Sequence, residues 1–226
     1  TGLIVGVILL LQREGISGPN PTSTPSPISG GIYTEALVGK FLRLNPMLDY
    51  YNQADRDINR LLFNSLIKFD SAGMPQPDLA TGWNSSDENT RFTFSLRTDV
   101  LWHDGTPFTA HDVAYTVQLL KSGNVVIPEH LRQFWSEVNF NLLNDELVEF
   151  SLPEAFSPFL DYLSFRILPA HLLGNLDLDG LIDHPFNLAP IGTGPYKFKQ
   201  LTYKDGLISG VELEANDSYF DGAPFI

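Results

Sequence analysis

The chain has 226 residues, 43% hydrophobic and 18% charged, enough apolar content for one large folded domain or two small ones rather than a disordered segment. Its formal net charge of −13 argues against nucleic-acid binding, which needs a basic footprint on phosphates, and against docking on anionic lipid. There is no cysteine, which excludes disulfides, thiolate catalysis, Cys-ligated zinc and iron–sulfur clusters within these residues.

Leu3 to Leu11 is an unbroken run of Leu, Ile, Val and Gly. A bilayer needs about 20 apolar residues, so residues 1–12 read as the end of a signal peptide's core or of a membrane anchor. No small-residue cleavage pattern follows closely, which favours the anchor. Residues 13–30 carry Pro19, Pro21, Pro25 and Pro27 among Ser, Thr and Gly, the composition of an extended, semi-rigid linker. Folded structure is expected from about Gly30, with a first strand over Ile32 to Val38. Leu44-Asn45-Pro46 then opens a loop. Asp55 or Asp57 is placed to cap a helix carrying Ile58, Leu61, Leu62, Ser65 and Leu66 at helical spacing. Ala72 to Pro77 reads as a turn.

The densest local signal lies at 91–113. Phe92, Phe94 and Leu96 alternate with Thr93, Ser95 and Arg97, the period of a half-buried strand. Asp104-Gly105 marks a turn and Pro107 fixes its exit. Thr109 precedes Asp112 by three residues, a variant capping box for a helix bearing Val113, Val117 and Leu120. Further on, the pattern predicts a strand at 145–152, a helical patch at 153–163 and a helix start at Leu168. A turn at Ile191 to Pro195 leads into a strand, and another strand covers 211–216.

These landmarks together resemble the extracytoplasmic solute-binding proteins of family 5, the peptide and oligopeptide class that serves ABC importers. The resemblance rests on an ordered set of blocks over about residues 30–226. They include Leu44-Asn45-Pro46, Pro77-x-Leu79-Ala80-x-x-Trp83, Trp102-His103-Asp104-Gly105-x-Pro107, Leu168-Pro169-x-His171, Gly192-Thr193-Gly194-Pro195-Tyr196 and Asn216-x-x-Tyr219-Phe220-x-Gly222-x-Pro224. It implies an α/β periplasmic-binding-protein type II-like fold, incomplete, with the second lobe missing. The first lobe would comprise 31–50 and 165–226, and a small α/β subdomain, 51–164, would be inserted in it. The lipidated N-terminal cysteine usual in such proteins is absent here.

The resemblance further implies the substrate-binding component of an ABC importer. Such a component takes peptides or peptide-like solutes into an interlobe cleft and delivers them to permease subunits. It acts outside the cytoplasmic membrane, in the periplasm or at the cell surface, as a monomer tethered by its N-terminal segment, with no cofactor and no catalysis. Family members also take up sugars, nickel complexes, haem and opines. The ligand-contact candidates are Tyr50, Tyr51, Asn52 and Gln53, on a loop rich in groups with an apolar face and a polar tip, with Trp135 as a weaker one. Ordinary surface packing is the competing reading of that loop, and core packing that of Trp135. The rival function is a membrane-anchored extracellular hydrolase using the pairs His103-Asp104 and His111-Asp112. Their spacing does not put two ligands on one helix face, so turn and cap roles are expected for them. An adhesion or scaffold module, which needs no cleft, is the third class.

Overall fold

The computed structural model describes residues 29–86, 88–122 and 126–226. The apolar run at 3–11 and nearly all of the linker lie outside these residues. Helix α1 (Gln53–Leu62) is followed by the hairpin β1 (Ile67–Phe69) and β2 (Pro75–Pro77), then by β3 (Ala80–Ser85) and β4 (Arg91–Leu96). Helices α2 (Ala110–Lys121) and α3 (Glu129–Glu137) precede β5 (Asn139–Asn144) and β6 (Leu147–Ser151). A 3₁₀ segment (Ser157–Leu163), two single-turn helices α4 (Ala170–Leu173) and α5 (Leu178–Leu181), and a second 3₁₀ turn (Pro185–Leu188) lead to the hairpin β7 (Tyr196–Lys204) and β8 (Leu207–Ala215).

The central layer is an antiparallel sheet in the order β3-β4-β6-β5. The alternation read in 92–96 holds: Phe92, Phe94 and Leu96 are buried, and Phe94 lies opposite Val148 across β6. Phe94, Phe150 and Phe159 meet edge-on or tilted, with Phe94 and Phe150 ring centroids 5.7 Å apart. Such geometry adds roughly 0.5–1.5 kcal/mol per pair beyond the area buried. Helix α2 starts where the capping box places it, with Thr109 Oγ1 accepting from His111 N–H and Asp112 Oδ2 from Thr109 N–H at 2.9 Å. Among the described residues one continuous apolar cluster runs from Leu44 to Phe186, across the expected boundary at 164/165.

Three expectations differ from the structure, and two elements had none. Residues 32–38 form no strand: Ile32 and Val38 are 95% and 97% exposed. Alternation assigns faces, but a strand exists only where a neighbour completes its ladder. Helix α1 begins at Gln53 under an Asn52 cap and ends at Leu62, because Phe63 turns to extended backbone. Asp55 sits instead in its first turn and accepts the N–H groups of Leu42 and Arg43 at 2.9 and 3.0 Å, tying the incoming chain to the helix. The turn expected at 72–77 contains β2, paired with β1. Helix α3 and strand β5, in the stretch where sequence periodicity fades, were not signalled.

Candidate ligand-binding site

The loop from Leu44 to Asn52 is fixed from both sides. Buried Asn45 accepts the Met47 N–H through Oδ1 at 3.0 Å and donates from Nδ2 to Asn187 Oδ1 at 2.9 Å. Leu44 N–H donates to the Asn187 carbonyl at 2.8 Å, so the distant segment around residue 187 anchors the loop's start. Arg56, one turn into α1, donates from Nη1 to the carbonyls of Asp49 and Tyr50. With its backbone carbonyls held, the loop turns Tyr50 and Tyr51 outward, 39% and 70% exposed, with ring centroids 5.0 Å apart and nearly perpendicular.

Of the five expected contact residues, Tyr50, Tyr51 and Gln53 are exposed, though the Gln53 amide is engaged within α1, donating to Asp57 Oδ1 at 2.6 Å and accepting from Arg56 Nη2. Asn52 adjoins them, but its side chain is already engaged. Its Oδ1 caps Ala54 N–H, and its Nδ2 donates to the Lys40 carbonyl and to Asp55 Oδ2. Trp135 stands apart on α3, 3% exposed and edge-on to Phe165 at 5.3 Å. Its ring is consumed by the aromatic core, because α3 must cover the sheet's Phe150.

Behind the tyrosines lies a polar group that the pattern of residues did not single out. Asp49 is buried, accepts from Asn59 Nδ2 at 2.8 Å, and has its carboxyl pushed up to about 6 by burial, with Asn59, Arg166 and Arg56 opposing the shift. Arg166, partly buried, donates from Nη1 to Ser65 Oγ at 3.3 Å. Burial lowers its pKa, while the nearby Asp49 and Asp78 carboxylates act the other way. Asp78 is itself occupied, accepting from Asn64 Nδ2 and Ser65 N–H. One signal was available: Arg166 is the single charge in Leu163-Ser164-Phe165-Arg166-Ile167-Leu168, a run whose other members include fully buried residues. A lone charge inside a buried run usually has a task or a partner.

Of the histidine–aspartate pairs, Asp104, Asp112 and His103 are engaged in turn, cap and loop contacts, while the exposed His111 lies 3.4 Å from the Asp145 carboxylate. Asp104 accepts from Thr106 N–H in its turn and from His171 Nε2 at 2.8 Å. Asp112 caps α2. His103 bridges the glycine loop: its Nδ1 accepts from Gly192 N–H at 3.1 Å and its Nε2 donates to the Gly194 carbonyl at 3.0 Å. That pattern requires neutral imidazole, and burial lowers the His103 pKa to about 4. Because the folded value lies below the usual 6.5, the unfolded chain takes up the proton more readily between those two values. Stability from His103 is therefore complete above about pH 6.5, falls as the pH drops toward 4, and is constant below that. We expect the unfolding free energy of the full-length protein to exceed that of a His103→Gln variant by about 2–3 kcal/mol more at pH 7 than at pH 4. Urea titrations of both proteins at several pH values check this, and parallel pH profiles would refute it.

Chain path, antiparallel sheet and loop together define part of a type II periplasmic binding protein, an α/β fold. Residues 74–226 match the model of the bacterial extracellular solute-binding proteins, family 5 Middle, and the chain belongs to that family. It is 29% identical to the oligopeptide-binding protein AppA of Bacillus subtilis over 99% of its own length and 41% of AppA's. The solved structure of that AppA with a nonapeptide superposes with a TM-score of 0.78, covering 88% of this chain and 39% of AppA. NikZ of Campylobacter jejuni, solved with Ni(L-His), gives a TM-score of 0.68 at 34% identity, over 80% of this chain and 35% of NikZ. The chain thus spans about two fifths of the length of the relatives it matches.

Proposed function

We propose that the chain forms part of the substrate-binding component of an ABC importer, and that this protein captures peptides or peptide-like solutes for a membrane permease. The observation that carries the reading is the exposed Tyr50–Tyr51 pair on a loop whose backbone is already hydrogen-bonded, in a chain of this family. Flat rings with hydroxyl tips suit both the apolar side chains and the amide groups of a peptide, and a pinned loop loses little entropy on binding. AppA, solved with a nonapeptide, supports the choice of ligand.

In this reading residues 31–50 and 165–226 belong to one lobe and 51–164 to a subdomain inserted in it. Ligand contacts made from two lobes at once lower the free energy of the closed state only, so binding shifts the population toward closure. The permease reads that closure, and no bond is made or broken. The protein works as a monomer outside the cytoplasmic membrane, tethered by its N-terminal segment. A nickel complex is the second reading, favoured by the likeness to NikZ. Thermal melts of the full-length protein with synthetic tri- to nonapeptides and with nickel–histidine separate the two. Peptides are expected to raise the midpoint, and Tyr51→Ala to weaken peptide binding by about tenfold with the ligand-free midpoint unchanged. If none of the peptides moves the midpoint, the peptide reading fails.

A further inference from the structure

Asn59 is completely buried on α1, and its side chain is only half used. Its Nδ2 donates to Asp49 Oδ2 at 2.8 Å, whereas its Oδ1 has no donor among the described residues. A buried amide oxygen without a donor is costly. The Asp49 carboxyl, itself buried, is the group already bonded to that amide. As a carboxylate it can only accept, so it cannot serve Asn59 Oδ1. As a neutral acid it carries the missing O–H. An acid and an amide side by side can exchange two bonds, N–H to acid oxygen and O–H to amide oxygen.

The charges around this pair are mixed. Helix α1 contributes Arg56 and Asp55, and the segment before α4 contributes Arg166. The two guanidinium groups favour the carboxylate and Asp55 opposes it. Burial outweighs the guanidinium groups and holds the Asp49 carboxyl at about 6 rather than 3.8. The tyrosine loop hangs from the same residue. The Asp49 carbonyl accepts from Asn52 N–H at 2.8 Å and from Arg56 Nη1 at 3.2 Å, and Arg56 also holds the Tyr50 carbonyl.

We propose that Asp49 acts as a neutral acid that latches the tyrosine loop to α1: its hydroxyl donates to Asn59 Oδ1, its other oxygen keeps the Asn59 Nδ2 bond, and loss of the proton loosens residues 45–52. Asp49 and Asn59 are then positioning residues for Tyr50 and Tyr51. The latch is closed in mildly acidic surroundings and opens toward alkaline ones. It works whatever solute the protein takes, so it can fail while the peptide reading stands, and the reverse.

Urea unfolding of the full-length protein and of its Asp49→Asn variant between pH 4 and 8 tests the latch, because the variant's amide offers a permanent N–H where the acid offers its O–H. The folded value lies above the ordinary one. The proton's contribution to stability is therefore complete below about pH 3.8 and is lost as the pH rises through about 6. The variant is expected to be close to wild type near pH 4 and more stable at pH 8, the ratio of their unfolding constants growing by about fiftyfold across the range. Hydrogen exchange of residues 45–52, corrected for intrinsic rates, reads the loop itself. Its protection should fall in wild type between pH 5 and 8 and stay level in the variant. Parallel stability profiles would overturn the latch. So would a variant that is less stable than wild type at pH 8 or does not fold, since the carboxylate would then be the form the fold needs. Wild-type protection of 45–52 that does not change with pH would overturn it without recourse to any variant.

Discussion

Gly192→Ala is expected to cost the full-length protein more than about 3 kcal/mol, the range of overpacked interiors that cannot relax. A Cβ there would lie 1.8 Å from the Leu62 carbonyl oxygen and 3.3 Å from the His103 ring. The obstacle is backbone, not the flexible end of a side chain. Gly194 meets the same wall, 2.4 Å from the Leu61 carbonyl, and its N–H donates to the Leu62 carbonyl at 2.8 Å. The Gly-Thr-Gly segment is therefore two glycines pressed against the C-terminal end of α1, with Thr193 Oγ1 donating to Asn64 Oδ1 between them. Urea unfolding measures the effect, and a Gly192→Ala midpoint equal to wild type would refute it. Gly222→Ala is the contrasting control: its Cβ would meet open space, and only the positive φ of 97° opposes it.

The second large effect is expected at Asp112. Its carboxylate, 3% exposed, accepts from Thr109 N–H, from Ala170 N–H at 2.7 Å and from Trp102 Nε1 at 3.3 Å. One side chain thus caps α2, seats the core tryptophan and docks the first turn of α4. Burial raises its pKa while those three donors oppose the shift. Asp112→Ala strands three donors in a dry interior and should cost about 3–5 kcal/mol. Asp112→Asn keeps an acceptor oxygen and the same volume, so a cost of about 1–2 kcal/mol is expected. Thermal and urea unfolding of both variants provide the check, and an Ala variant no less stable than the Asn variant would show that the three bonds contribute little.

The strand at 91–96 and the helix at 110–121 were legible because their signals are local: alternation, a turn dipeptide and a capping box all act within a few residues. Asn52 shows the limit of that kind of reading. Its side chain caps α1, yet by residue type alone it was as good a ligand contact, since the same amide serves either role. Trp135 was ambiguous for a parallel reason, because an aromatic ring suits a cleft or a core and only the presence of Phe150 and Phe165 decides. Residues 32–38 carry strand composition with no described strand beside them. Arg166 and Asp49 acquire meaning through neighbours more than 100 residues apart, which periodicity cannot convey.

The anchoring of the loop and of α1 by distant backbone has a kinetic consequence. Leu44 binds Asn187 and Leu62 binds Gly194, so the loop's start and the C-terminal end of α1 each gain a long-range clasp only when residues near 187 and 194 reach them. Each clasp closes a loop of more than 130 residues, an entropy cost that grows with the logarithm of loop length and is met before the contact rewards it. Topologies of this kind fold slowly compared with helical bundles. Until residues near 194 have been made, the Leu62 carbonyl at the end of α1 lacks the Gly194 N–H that it accepts in the fold. The segment bearing the tyrosines is accordingly held by residues made more than 130 positions after it.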